Sequence, residues 1–235
     1  MSKESECQKI RVTGSGTGLG AYALAATGGC VDAVGFLALG GLFVSHMSGN
    51  SAAFGAYFGQ GQFALGLPHF MAVPVFVLGL LFGNYFVLHE TSGRRCATLL
   101  FLEALLISSF LVAVFFIGEP AKGSGIYYLV CPLLLFAMGM QNAVLRGLGH
   151  STFATTYVTG VLDRFAQSVA KFFRHTDVRL RKEAINDARV SICVWSAYAL
   201  GAVAGSAGMF FAGTGILLVP VVLLLVFAWR VRKGV

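Results

Sequence analysis

Apolar stretches of about 20 residues recur along the chain, and this feature restricts its fold more than any other. An α-helix of about 20 apolar residues crosses the hydrocarbon core of a bilayer. Only 11% of the 235 residues are charged, compared with about 25% in an average soluble domain. The sequence therefore predicts an all-α polytopic membrane protein whose main partner is the lipid bilayer.

The apolar stretches fall into two classes by length. Those that can cross a membrane are residues 18–41, 69–88, 97–117, 126–145, 190–211 and 215–229. Two others, residues 44–61 and 151–162, are too short or too interrupted by glycine to be full spans. Residues 163–175 have charged and apolar side chains at helical spacing, which predicts an amphipathic interfacial helix. A charged stretch, residues 176–189, follows it.

The positions of the basic residues distinguish eight crossings from six. If every apolar piece crosses, Arg94 and Arg95 lie outside while the other basic clusters lie inside. If the two short pieces only enter and leave the membrane, both termini and every basic cluster are cytoplasmic, with Lys122 as the one exception. We therefore expect about six transmembrane helices in a multi-pass protein with both termini in the cytoplasm.

The net charge of +7 has the same explanation, because basic residues concentrate in cytoplasmic loops. No RNA- or DNA-binding motif accompanies the charge, so nucleic acid is not an expected partner. The five cysteines are scattered and form no C-x-x-C pair, which predicts neither a disulfide framework nor a zinc site.

Two related motifs lie about 110 positions apart. The first, residues 29–50, begins G-C-V-D-A-V and ends S-G-N, and the second, residues 139–160, begins G-M-Q-N-A-V and ends T-G. The aligned pairs are Asp32 with Asn142 and, after one inserted residue, Ser48 with Thr159 and Gly49 with Gly160. Two matches in the same order indicate an internal duplication.

A repeat with three spans holds an odd number of crossings, so its two copies must have opposite orientations. We therefore predict two inverted three-helix repeats, at about residues 18–118 and 125–232, each with a broken or re-entrant helix. They form a single membrane domain, residues 18–235, which follows a cytoplasmic N-terminal tail, residues 1–17.

The motif blocks G-C-V-D-A-V-G-F-L with F-V-S-H-M-S-G-N, and G-M-Q-N-A-V-L-R with T-T-Y-V-T-G, resemble the YoaK family of bacterial inner-membrane proteins. The resemblance covers about residues 18–232. One departure is Ser48, where the family usually has threonine. The resemblance implies a domain of unknown function with about six spans in the bacterial inner (cytoplasmic) membrane, and it implies no substrate.

Asp32 is a carboxylate inside a predicted span. A charged side chain there costs about 2.5–3.5 kcal/mol on insertion scales, so it usually faces a partner or a water-filled cavity. Asp32 is therefore either a protonatable or cation-coupling group, or a hydrogen-bond acceptor that fixes helix packing. Its counterpart, Asn142, keeps the shape of the side chain without the titratable group.

Small polar residues beside glycine form the other part of both motifs. Such residues let a helix break and expose backbone groups to a bound solute, although glycine also permits plain close packing. The residues that we expect to bind substrate are Asp32, Ser48, Gly49, Asn50, Asn142, Thr159 and Gly160.

These residues favour a secondary transporter or permease of an unidentified small solute or ion, with proton coupling at Asp32. A non-transporting scaffold or partner-binding subunit is the alternative, and G-x-x-x-G at residues 201–205 leaves a homo-oligomer open.

An enzyme is not expected. The run G-N-S-A at residues 49–52, near His46, loosely resembles the serine loop of intramembrane proteases. The other histidines, His69 among them, are predicted in loops or at interfaces, where none can serve as the base. The sequence contains no H-E-x-x-H, Walker lysine or metal-ligand cluster, so no catalytic residue, cofactor or metal is predicted.

Overall fold

A computed structural model describes residues 15–88, 93–147 and 158–233, and these residues form helices without any strand. The α-helices are α1 Ser15–Ala38, α2 Met47–Gly59, α3 Phe63–Leu88, α4 Gly93–Ile117, α5 Gly125–Gly147, α6 Val158–Arg174, α7 Val178–Ala212 and α8 Leu218–Lys233. The short 3-10 helix Gly213–Leu217 joins α7 to α8. The all-α prediction is confirmed.

Five helical stretches in the described part of the chain are long and apolar enough to cross a membrane. They are Gly20–Ala38, Phe63–Val87, Gly93–Ile117, Gly125–Val144 and Val178–Lys233. The last stretch has 56 residues and contains both α7 and α8. The two helices are separate because Gly213 takes a positive φ of 55°, which ends α7. The chain is therefore a multi-pass membrane protein.

Several boundaries differ from those predicted. Gly61, with a φ of 72°, allows a tight reversal after α2, so α3 begins at Phe63 rather than near His69. Residues 178–189 of the charged stretch form the first turns of α7, and the Asp177 carboxylate caps that helix by accepting from the backbone N–H of Arg179 at 2.7 Å. The first 14 residues of the predicted tail and residues 151–157 lie outside the described residues.

Helix α1 packs along α7, and the two run in the same direction. Gly201 faces the backbone carbonyl of Ala26, and Gly205 lies against Cys30 one turn further along. A side chain at either glycine would meet the backbone of α1. These glycines therefore let the two helices approach closely.

Helices α3 and α5 pack in the same parallel manner. Gly79 faces the backbone carbonyl of Phe136, and Gly83 lies against Met140. Positions that match between α1 and α5 are 110 residues apart, as in Ala26 with Phe136 and Cys30 with Met140. Positions that match between α3 and α7 are 122 residues apart, as in Gly79 with Gly201 and Gly83 with Gly205. The two helix pairs therefore share one packing arrangement.

The contacts distinguish the two ends of the bundle. At one end, Gly20 lies beside Phe227 and Gly93 lies beside the backbone of Val231. This basic end carries Arg94, Arg95, Arg230, Arg232 and Lys233. At the opposite end, the Tyr127 hydroxyl donates to the Leu39 carbonyl at 3.0 Å, and Lys122 lies in the connection between α4 and α5.

Candidate functional site

The chain folds back into the bundle after α1. Gly40 and Gly41 have φ values of 61° and 89°, which are accessible to glycine at little cost, and they reverse the chain. Residues 39–46, the returning segment, then run back along the last turns of α1, where Val44 packs against Gly35. Irregular backbone thus lies inside the span, where its polar groups need partners.

Asp32 provides those partners. Its Oδ1 accepts the backbone N–H groups of Val44 and Ser45, both at 2.8 Å. Its Oδ2 accepts the Tyr198 hydroxyl at 2.7 Å and lies 2.5 Å from Nδ1 of His46. The side chain is only 3% exposed, and its four neighbours compensate for the water that burial removes.

His46 is the accessible member of this pair. Its side chain is 26% exposed, and the rings of Phe43 and Tyr198 lie on either side with centroids 5.8 and 5.4 Å away. A carboxylate only accepts hydrogen bonds when it is ionised, so in this hydrogen bond Nδ1 is the donor and Oδ2 the acceptor. Among the described residues Nε2 has no hydrogen-bond partner, so that edge of the ring is free to bind another group.

The pair opens onto a cavity of about 580 Å³, the Asp32 cavity. Its polar lining consists of Asp32, His46, Ser48, Tyr198 and Ser206, with Gly49 at its edge. Apolar side chains of α1, α7 and the returning segment form the rest. A cavity of this size with a few converging polar groups is typical of a small-molecule site.

Asn50 does not line the cavity but holds the returning segment in place. It is fully buried, its Nδ2 donates to the Phe43 carbonyl at 2.7 Å, and its Oδ1 accepts from the Phe43 N–H at 3.2 Å. Oδ1 also lies 3.2 Å from Nδ1 of His69. The amide of Asn50 therefore serves the packing of this region.

Lys122 contacts the returning segment from the other side. Its Nζ donates to the Gly40 carbonyl at 3.0 Å and lies 3.4 Å from Nε2 of His69. Burial lowers the pKa of Lys122. The prediction of a loop at His69 is wrong, because this residue is buried within α3, where it links Lys122 to Asn50.

The helix break predicted at Ser48 and Gly49 lies earlier in the chain. Both residues are in the first turn of α2, and the irregular backbone is the returning segment before it. The glycines that reverse the chain are Gly40 and Gly41, so the polar triplet only begins the next helix.

The predicted site residues in the described part of the second motif do not join those of the first. Asn142 is buried in α5, where its Nδ2 donates to the Met138 carbonyl at 3.2 Å. Thr159 is exposed and Gly160 partly exposed in the first turn of α6. These residues do not line the Asp32 cavity. The structure thus brings together Asp32, Ser48 and Gly49 among the predicted site residues.

Phe76 takes the place of Tyr198 in the second helix pair. The backbone carbonyl of each faces the glycine that opens the corresponding motif. Asn142 and Phe76 therefore stand where the first pair has Asp32 and Tyr198, and neither can titrate in place of its counterpart. At these two matched positions, a carboxylate and a phenol are present only in the pair of α1 and α7.

Sequence reasoning missed two residues of the site. His46 lies within the first motif, and its spacing from Asp32 gave no signal because the returning segment is irregular. Tyr198 lies 166 positions after Asp32 on another helix. A tyrosine in an apolar span was the only available signal, and it does not name a partner. Within the described residues, no group of three His, Cys, Asp or Glu side chains could hold a metal ion.

Comparison with known proteins agrees with the motif resemblance. The family model described as protein of unknown function (DUF1275) matches residues 20–229. The chain is 24% identical over 184 residues to the UPF0700 transmembrane protein YoaK of Bacillus subtilis (strain 168), a match that covers 77% of this chain and 78% of that protein. No solved structure matches the chain. The chain thus belongs to the DUF1275 family of proteins of unknown function.

Proposed function

We propose that this protein is a secondary transporter or permease of a small solute or ion, and that the Asp32–His46 pair couples transport to protons. The observation that carries the proposal is a carboxylate–imidazole pair that lines a cavity within the spans. Ionisable residues at membrane depth usually mark substrate or proton pathways. Asp32 and His46 have the chemistry for such a pathway.

The hydrogen bonds of Asp32 and His46 give the two residues different roles in proton binding. Oδ1 of Asp32 is occupied by two backbone N–H donors, so a proton there would displace one of them. His46 can take a proton at Nε2 while its Nδ1 stays on Asp32, and the carboxylate then stabilises the imidazolium. In this mechanism His46 receives the proton, and Asp32 orients the imidazole ring and stabilises its positive charge.

Proton binding changes the charge of the cavity. With neutral His46 the pair carries one negative charge, and with protonated His46 it is neutral. A solute that is cationic or donates hydrogen bonds binds better to the negative form, so it competes with the proton. That competition is the physical basis for coupling.

The packing of the glycine-rich helix pairs supports a duplication with inverted orientation. Helix α1 runs from the basic end towards Lys122, whereas its equivalent α5 runs from the Lys122 end back. The bend at Gly213–Leu217 supports six spans, with α7 and α8 as separate crossings. By the positive-inside rule the basic end and both termini are cytoplasmic, in the bacterial inner membrane.

The exception to that rule, Lys122, has a structural explanation. It lies at the opposite end, where its ammonium group donates to the returning segment. One basic residue with such a contact does not reverse the orientation set by the clusters at the basic end.

A scaffold is the second candidate, and one observation favours it. Asp32 is saturated with hydrogen bonds, as expected for a side chain that merely fixes the returning segment. The two functions differ in what His46 does, because a scaffold has no need for an imidazole that is open to the cavity.

Proteoliposomes that contain a pH-sensitive dye test the proposal. Amino acids, sugars, organic cations and alkali or divalent metal ions are added in turn, and the internal pH is recorded. We expect at least one class to change the pH with wild-type protein but not with Asp32→Asn or His46→Gln. His175→Gln is the matched control, since that histidine follows α6 and does not line the cavity.

Retention of the full signal by both site variants would exclude the pair as the coupling group. No signal from any solute class, with correctly folded protein in the vesicles, would favour the scaffold.

A further inference from the structure

A second cavity, of about 520 Å³, lies between α4 and α8 at the basic end. We call it the basic-end groove. Its mouth is formed by Arg94, Thr98, Trp229 and Arg232, and its deeper part by apolar side chains that include Phe101 and Leu225. Nothing in the proposed transport mechanism uses it.

The mouth of the groove is strongly cationic. Arg94 and Arg232 are exposed, and neither forms an ion pair within the described residues. The ammonium group of Lys233 lies 4.3 Å from the centroid of the Trp229 ring and adds a third positive charge nearby. Two guanidinium groups on one cavity are well suited to a phosphate group, which they can bind through paired hydrogen bonds.

The rest of the groove is apolar and runs along the span. Phe101 lies seven residues after Arg94 on α4, about 10 Å deeper at 1.5 Å per residue. Phe101 is 54% exposed and Leu225 is 40% exposed, so both present a surface to the lipid. Trp229 stands between the charged and apolar parts, the position that tryptophan favours at a membrane interface.

We propose that the basic-end groove binds an anionic phospholipid of the leaflet at the basic end. Its phosphate group lies between Arg94 and Arg232, and an acyl chain follows Phe101 and Leu225. A free phosphate ion matches only the mouth, whereas a phospholipid matches the charge and the apolar wall together. Since α4 and α8 pack against each other here, the lipid contacts both helices and stabilises their interface. This proposal does not depend on transport.

The test uses the full chain purified in a neutral detergent. Native mass spectrometry counts the bound lipids, and thermal unfolding is followed as phosphatidylglycerol or phosphatidylcholine is added. We expect phosphatidylglycerol to bind wild-type protein and raise its Tm more than phosphatidylcholine does. The double variant Arg94→Gln/Arg232→Gln should bind phosphatidylglycerol about tenfold more weakly, because it loses charge-assisted hydrogen bonds.

The charge-matched control is Arg174→Gln/Arg230→Gln, which removes two exposed arginines that do not line the groove. Equal loss of affinity in both double variants would mean that net charge alone attracts the lipid, and it would overturn the site.

A second variant separates the lipid from a free anion. Leu225→Ser should weaken phosphatidylglycerol binding while leaving any protection by inorganic phosphate unchanged. If inorganic phosphate protects as well as phosphatidylglycerol, or if Leu225→Ser has no effect on lipid binding, the groove is an anion site and the lipid proposal is wrong.

Discussion

Replacement of Tyr198 by phenylalanine tests the carboxylate site most directly. It removes only the hydroxyl that donates to Oδ2 of Asp32 at 2.7 Å, and Phe76 shows that the equivalent position accepts a phenylalanine ring. A hydrogen bond to a charged group contributes about 1.5–3 kcal/mol, compared with about 0.5–1.5 kcal/mol between neutral groups. We therefore expect Tyr198→Phe to lower the free energy of unfolding by about 1.5–3 kcal/mol.

The size of the effect depends on the charge of Asp32, and a double-mutant cycle isolates that dependence. In the Asp32→Asn background, Tyr198→Phe removes a neutral hydrogen bond and should cost about 0.5–1.5 kcal/mol. The difference gives a coupling energy of about 1–1.5 kcal/mol between the two positions. Reversible unfolding in mixed micelles, measured for the wild-type protein, both single variants and the double variant, gives this quantity.

Tyr128→Phe is the control, because the Tyr128 hydroxyl makes no hydrogen bond among the described residues and its loss should change the unfolding free energy by less than about 0.5 kcal/mol. A coupling energy near zero between Tyr198 and Asp32 would refute the assignment of a charged acceptor. It would mean that Asp32 is neutral or that the hydroxyl serves another group.

Three further changes probe other parts of the molecule. Gly201→Ala should lower the unfolding free energy by about 1–3 kcal/mol, because the added Cβ meets the backbone of α1. Gly55→Ala is the control, since a Cβ at Gly55 enters open space, and equal effects of the two changes in the same unfolding assay would refute close packing at Gly201. Lys122→Gln should speed amide hydrogen exchange in the returning segment about fivefold by weakening its bond to Gly40, and unchanged exchange would contradict that role. Glu103→Gln should not lower the unfolding free energy, because neither carboxylate oxygen of this buried residue has a hydrogen-bond partner in the described part of the chain that the substitution could break; a loss of more than about 1 kcal/mol would reveal such a partner.

Hydropathy predicted the spans well because each must be apolar along its whole length, whatever it packs against. The predicted start of α3 was too late, because the apolar residues 63–68 continue the same helix before His69, with Pro68 inside it. Hydropathy also began the next span at residue 190, although the helix begins at Val178, because charged residues extend a helix freely where it leaves the membrane. The second error concerns a segment in which hydropathy and helix formation are separate properties.

The site was predicted only in part. Asp32 was identifiable because a carboxylate in an apolar span is expensive and must have a reason. Its partners could not be identified, because the reversal at Gly40 and Gly41 determines which backbone groups reach it, and the packing of α1 on α7 determines that Tyr198 does. The chain reversal and the helix packing both depend on glycines, and a glycine in the sequence does not indicate which segment will pack against it.

The two helix pairs differ in their chemistry more than in their packing. Each pair uses glycines at matching positions, so the backbone framework of α1 and α7 is repeated in α5 and α3. Asn142 and Phe76 nevertheless replace Asp32 and Tyr198, so the second framework keeps the volume but not the charge. A second buried carboxylate would cost about 2.5–3.5 kcal/mol and would need its own set of donors. Under the proposed mechanism this asymmetry has a direct consequence: only the α1–α7 pair holds a titratable carboxylate at this position, so one carboxylate–imidazole pair carries a single proton in each cycle.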